Sequence, residues 1–98
     1  MHEHGLAKEL WPQLRQVAEL QGFVTVSLVE MIVGSLHGAS AELLAHSFEH
    51  AFQGSRFDGA AARVAVVDPG QEFTPPNSDS PTIANGWEIL IVRIEGRK

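Results

Sequence analysis

Five histidines stand in this chain of 98 residues, and cysteine is absent. Two of the five open the sequence, in Met1-His2-Glu3-His4. His2 is too large for the small-residue rule that governs removal of an initiator methionine, so a free Met1 amine is expected. An amine, a deprotonated amide and an imidazole from adjacent residues form a tight chelate. Nitrogen-rich tetragonal ligation favours Ni(II) or Cu(II) over Zn(II). Glu3 adds one more amide nitrogen. The candidate metal ligands are therefore Met1, His2 and Glu3, with His4 as a possible auxiliary. The plain alternative is a chain that begins Met-His by chance, with solvated imidazoles and His4 on the first turn of a helix.

The other histidines are placed differently. His37 falls in a loop before a second helix and is a further auxiliary candidate if the first helix packs beside that loop. His46 and His50 lie four apart, a spacing that lets two imidazoles on one helix share a metal. At 100° per residue both fall opposite Leu44 and Phe48, and a solvated face is the favoured reading. The stretch reads His46-Ser47-Phe48-Glu49-His50, which lacks the glutamate placement of a zincin helix. No nucleophile–base pair or carboxylate pair declares itself. Neither GxxxxGK[ST] nor GxGxxG occurs. An enzymatic role has no support at the level of residues.

Composition bounds the partners. Hydrophobic residues make up 44% and charged residues 19%, the balance of one globular domain with one modest core. The net charge of −5 excludes a basic nucleic-acid footprint and argues against adsorption to anionic membranes. Without cysteine there are no disulfides and no thiolate metal sites. No apolar stretch reaches the ~20 residues needed to cross a bilayer. The first twenty residues lack a signal peptide's apolar core, so the cytoplasm is the default address.

The elements that must position these residues follow from periodicity. Leu6, Leu10, Leu14, Val17 and Ala18 recur at helical spacing, predicting a helix over about Glu3 to Gln21 with Gly22 as its C-cap. Pro12 predicts a kink or irregularity near Leu10 to Pro12. Phe23 to Val33 is rich in β-branched residues, alternates at first and then turns apolar on both faces, as a central strand does. Ser40 is a good N-cap for a helix to about Phe52 or Gln53, with Leu44, Phe48, Ala51 and Phe52 inward. Ala62 to Val67 and Trp87 to Ile94 read as strands. Between them Asp68 to Asn85 holds Pro69, Pro75, Pro76 and Pro81 among polar residues and reads as a loop. The expected fold is α+β: α-β-α-β-β, with a small mixed three-stranded sheet and two helices on one face. Residues 1–98 form one domain, with a polar loop at about 68–85.

With these elements in order, the chain resembles the HypA-type nickel-insertion proteins of hydrogenase and urease maturation. The resemblance rests on Met1-His2-Glu3 opening the first helix and on Val33-Gly34-Ser35-Leu36. It continues through Glu42-Leu43-Leu44, Phe48-Glu49, Gly54-Ser55 and Gly59-Ala60. It closes on Gly86-Trp87-Glu88-Ile89-Leu90-Ile91 with Ile94-Glu95. It covers roughly residues 1–68 and 86–95. The resemblance implies a metallochaperone rather than an enzyme. Such a protein binds Ni(II) through the N-terminal amine, the first amides and the His2 side chain, and passes it to a hydrogenase precursor, often with a partner GTPase.

Two departures narrow that implication. Family members carry a zinc ribbon with two CxxC pairs, which a chain without cysteine cannot hold. Pro69-Gly70-Gln71-Glu72-Phe73 aligns either as a relic of the ribbon's Cys-Gly-x-x-Phe or as the boundary of a deleted ribbon. Some members also place a carboxylate ligand just before the second helix, where this chain has Ser40. The site is then weaker, or completed by His4 or His37. Two expectations follow: a nickel-binding accessory protein without zinc, or a HypA-like scaffold that has lost nickel delivery. The recipient enzyme and the oligomeric state stay open.

Overall fold

A computed structural model describes residues 3–98, with side chains described from Gly5 onward. The chain runs α1 (Glu3–Gln21), β1 (Thr25–Gly34), a 3-10 turn (Ser35–His37) and α2 (Ala41–Ala51). It continues through β2 (Ala61–Val67), β3 (Glu72–Phe73), β4 (Thr82–Ile83) and β5 (Ile89–Arg97). The main sheet has the order β2-β1-β5, with β1 parallel to β2 and antiparallel to β5. It is the small mixed three-stranded sheet that the pattern predicts. α2 is the crossover of a βαβ unit, the connection that parallel neighbours require.

The core explains the periodicities. α1 buries Leu6, Ala7, Leu10, Leu14 and Ala18, and α2 buries Leu44 and Phe48. From β1 come Val29, Met31 and Val33, alternate residues on the face that the helices cover. Glu30 and Ile32 point to the opposite, open face, beside Arg63, Ala65 and Val92. Arg93 there reaches Glu30 at 2.7 Å and Glu95 at 3.1 Å.

Three expectations are refined. α1 runs without interruption through Pro12. Pro12 and Lys8 are both on the exposed side, so water can serve the Lys8 carbonyl that the proline leaves without an amide. The segment read as a polar loop carries a hairpin, in which Glu72 pairs with Ile83 and Phe73 with Thr82. Strands of two residues are too short to leave a periodic signal. The last strand also starts later, at Ile89, and runs on to Arg97. Register shifts at Val26/Leu28 and Glu30/Met31 let its tail stay paired with the start of β1.

Candidate metal centre

The chain's connections sort the two ends of the sheet. α1 stops at a tight turn: Gly22, at φ 76°, donates to the Glu19 carbonyl and Phe23 to that of Ala18. β1 begins only three residues later. A helix of 19 residues is about 28 Å long, so its first turn lies far from that connection. Packed as a layer on the sheet, α1 directs Glu3 and His4 toward the end where β1 finishes. The 3-10 turn, the start of α2 and the start of β5 gather at that same end. Met1 and His2 lie outside the described residues, and Glu3 and His4 are placed as the first residues of α1.

That end is built from interlocked turns. A Cβ at Gly34 would collide with the Gly86 carbonyl, so only glycine fits where these backbones cross. Gly34 N–H donates to the Glu88 carbonyl at 2.8 Å, and Leu36 N–H to that of Gly86 at 2.9 Å. The Glu88 carboxylate accepts from the amides of Asn85 (2.8 Å) and Gly86 (3.0 Å). Asn85 Oδ1 accepts from the Trp87 amide at 2.8 Å. Partial burial works to raise the Glu88 pKa. The amides of Asn85, Glu88 and Gly86 outweigh it, with His37 adding to them, and hold the carboxyl below its usual value.

His37, half-buried at the end of the 3-10 turn, packs edge-on against Trp87 at 5.3 Å between ring centroids. Its Nε2 is 3.1 Å from the Trp87 carbonyl. A carbonyl only accepts, so this contact assigns the proton to Nε2 and leaves Nδ1 as the lone-pair nitrogen of the neutral ring. A ring so held by a backbone carbonyl has the outer-shell bond typical of metal-bound histidines.

Ser40 is occupied otherwise. Its Oγ accepts from the Leu43 amide at 3.1 Å, which makes it the N-cap that its residue type predicts. Among the described residues no group of three or more His, Cys, Asp or Glu side chains is arranged to hold a metal. His46 and His50 are exposed on α2, as the helical wheel predicts.

The Glu88 clamp escapes a reading by periodicity, because Trp87 to Ile94 alternates like a strand throughout. The available signal is Asn85-Gly86, a turn dipeptide with Gly86 at φ 90°. Pro69-Gly70 likewise has a local role whatever its ancestry. Gln71 N–H donates to the Asp68 carbonyl at 3.0 Å and Gly70 has φ 88°, the pattern of a type II turn.

Comparisons with known proteins bear on this arrangement. The family model for hydrogenase/urease nickel incorporation, metallochaperone, hypA matches residues 1–72. A hydrogenase maturation factor HypA from Nitrosospira multiformis is 31% identical over 64 residues, which are 65% of this chain and 56% of that relative. The chain thus spans little more than half the length of the curated relative it matches. The solution structure of the Ni metallochaperone HypA from Helicobacter pylori shares the fold, with a TM-score of 0.65 at 19% identity. That match covers 99% of this chain and 98% of the other. On the family match, which takes in most of its length, the chain belongs to the HypA family of hydrogenase/urease nickel-incorporation metallochaperones.

Proposed function

We propose that the chain is a nickel-binding accessory protein for maturation of a nickel enzyme, foremost a nickel–iron hydrogenase, and that it acts in the cytoplasm without catalysing a reaction. The observation that carries the proposal is that the family match begins at residue 1, on Met1-His2-Glu3 itself. Met1 amine and the His2 amide nitrogen close a five-membered ring around Ni(II), and the His2 imidazole closes a six-membered one. The Glu3 amide supplies a further nitrogen. The first four N–H groups of an α-helix have no intrahelical acceptor, so α1 loses no backbone bond when one of them ionises. The positive end of the helix dipole disfavours a bare dication, and ionised amides offset that charge. His4 and His37 are the auxiliary ligands, His37 through Nδ1. Nickel is cargo here, passed to an enzyme precursor with a maturation GTPase as the expected partner. No zinc of the ribbon type is expected in a chain without cysteine.

A second reading rests on Ser40. Its hydroxyl is engaged as a cap, where a carboxylate would be the better metal ligand, and this favours a HypA-like interaction scaffold that has lost delivery. Spectroscopy separates the two. With a free N-terminus, Ni(II) is expected to give amidate-type absorption, yellow if square-planar. Acetylating the Met1 amine should abolish it. A spectrum indifferent to acetylation sinks the N-terminal chelate and leaves the scaffold.

A further inference from the structure

The exposed face of α2 carries two imidazoles that the fold does not use. The imidazoles of His46 and His50 are solvent-exposed and make no hydrogen bond or ion pair with any described residue. They lie four apart on an uninterrupted helix, so their Cβ atoms are about 6 Å apart on one side. Helices that bind metals through two histidines use this same spacing.

The surroundings favour a cation. α2 contains two glutamates, Glu42 and Glu49, and neither lysine nor arginine. Both glutamates share a shallow groove with His46. Glu49 is fixed there because its Oε2 accepts from the Ala62 amide at 3.1 Å. His50 sits in the last turn of α2, where the helix dipole is negative and attracts positive charge. Imidazole pairs select Cu(II), Ni(II) and Zn(II) over Mg(II) and Ca(II), which prefer oxygen.

We propose that His46 and His50 form a two-imidazole site for one divalent transition-metal ion, with water completing its coordination. His46 lies about 9 Å and His50 about 15 Å along α2 from Ser40. The site is therefore separate from the end toward which α1 directs the N-terminus, and it stands whether or not the N-terminal chelate does.

The test uses the full chain with Ni(II) as the probe. Calorimetric titrations compare the native protein, His2→Ala, His46→Ala/His50→Ala and the triple variant, with circular dichroism confirming the helices. His2→Ala should retain about one equivalent of Ni(II). Adding either His46→Ala or His50→Ala should weaken that remaining binding about 100-fold, because the second imidazole no longer acts at high effective concentration. Nickel should raise the thermal midpoint of His2→Ala and leave that of the triple variant unmoved. If His2→Ala and the triple variant bind nickel alike, or if His2→Ala alone removes all binding, the α2 site does not exist. If the α2 double variant loses all binding while His2→Ala loses none, the α2 site stands and the N-terminal chelate falls.

Discussion

The two ends of the sheet are held together by different physics. At the end where β1 starts, Trp11, Phe48, Phe52 and Phe57 form a chain of ring contacts with centroids 5.0 to 6.3 Å apart. Phe48, Phe52 and Phe57 are fully buried. Two bonds tie the strand to this cluster: Arg56 Nη1 donates to the Phe23 carbonyl and Val26 N–H to that of Arg56. At the end where β1 finishes, Leu36 and Trp87 are exposed, and the order comes from backbone amides, the Glu88 carboxylate and a glycine crossing. Apolar burial reaches both ends, with Leu6, Val33 and Leu44 buried where β1 finishes, but the large aromatic rings are concentrated where β1 starts. Directed hydrogen bonds supply geometry at the other, the end toward which the start of α1 is directed.

The comparison can be broken most forcefully at the aromatic end. Phe57→Ala should destabilise the protein by about 3–5 kcal/mol, from lost transfer energy and a cavity that the neighbouring rings cannot fill. Trp87→Ala, at an exposed ring, should cost within about 1 kcal/mol. Urea unfolding of the two variants checks the ratio. Similar losses would mean that the ends are not built differently.

A smaller effect is expected at Glu88. Its pKa is lowered in the folded protein, so its contribution is fully present above the ordinary carboxylate range. It is lost as pH falls through that range to the lowered value. The amides of Asn85 and Gly86 should therefore shift in an NMR titration at acid pH. Glu88→Ala should abolish the shift and cost about 1.5 kcal/mol. Amides that do not respond below the usual carboxylate range would contradict the clamp.

The same contrast explains what could be read in the sequence. The α1 stripe, the apolar run of β1 and the inward face of α2 were legible because burial repeats with the period of the element. Ser40 was legible because an N-cap is a local, residue-specific event. The hairpin of β3 and β4 was not, since strands of two residues have no period. Nor was the cluster of Gly34, Gly86 and Glu88, which joins segments some fifty residues apart through backbone atoms that no side-chain pattern marks. For the proposed site, the ligand types come from the first three residues of the sequence alone. The hydrogen bond that orients His37 on Trp87 could not be read there.

A small stability effect, like that at Trp87, is expected at Ser40. Ser40→Ala removes the cap to the Leu43 amide and should cost about 1 kcal/mol. Nickel affinity should not change, because the hydroxyl is no ligand. Ser40→Asp keeps a capping oxygen and adds a carboxylate, so it should bind nickel more tightly than the native chain. A loss of nickel in Ser40→Ala with the helix intact would make Ser40 a ligand after all.

The central claim is that nickel is bound at the N-terminus by Met1, His2 and Glu3. Isothermal titration of Ni(II) into untagged protein, beside a His2→Ala control, tests it most directly. The account predicts one tight equivalent in the native chain that disappears in His2→Ala, whatever weaker binding remains elsewhere. Identical titrations for the two proteins would contradict it.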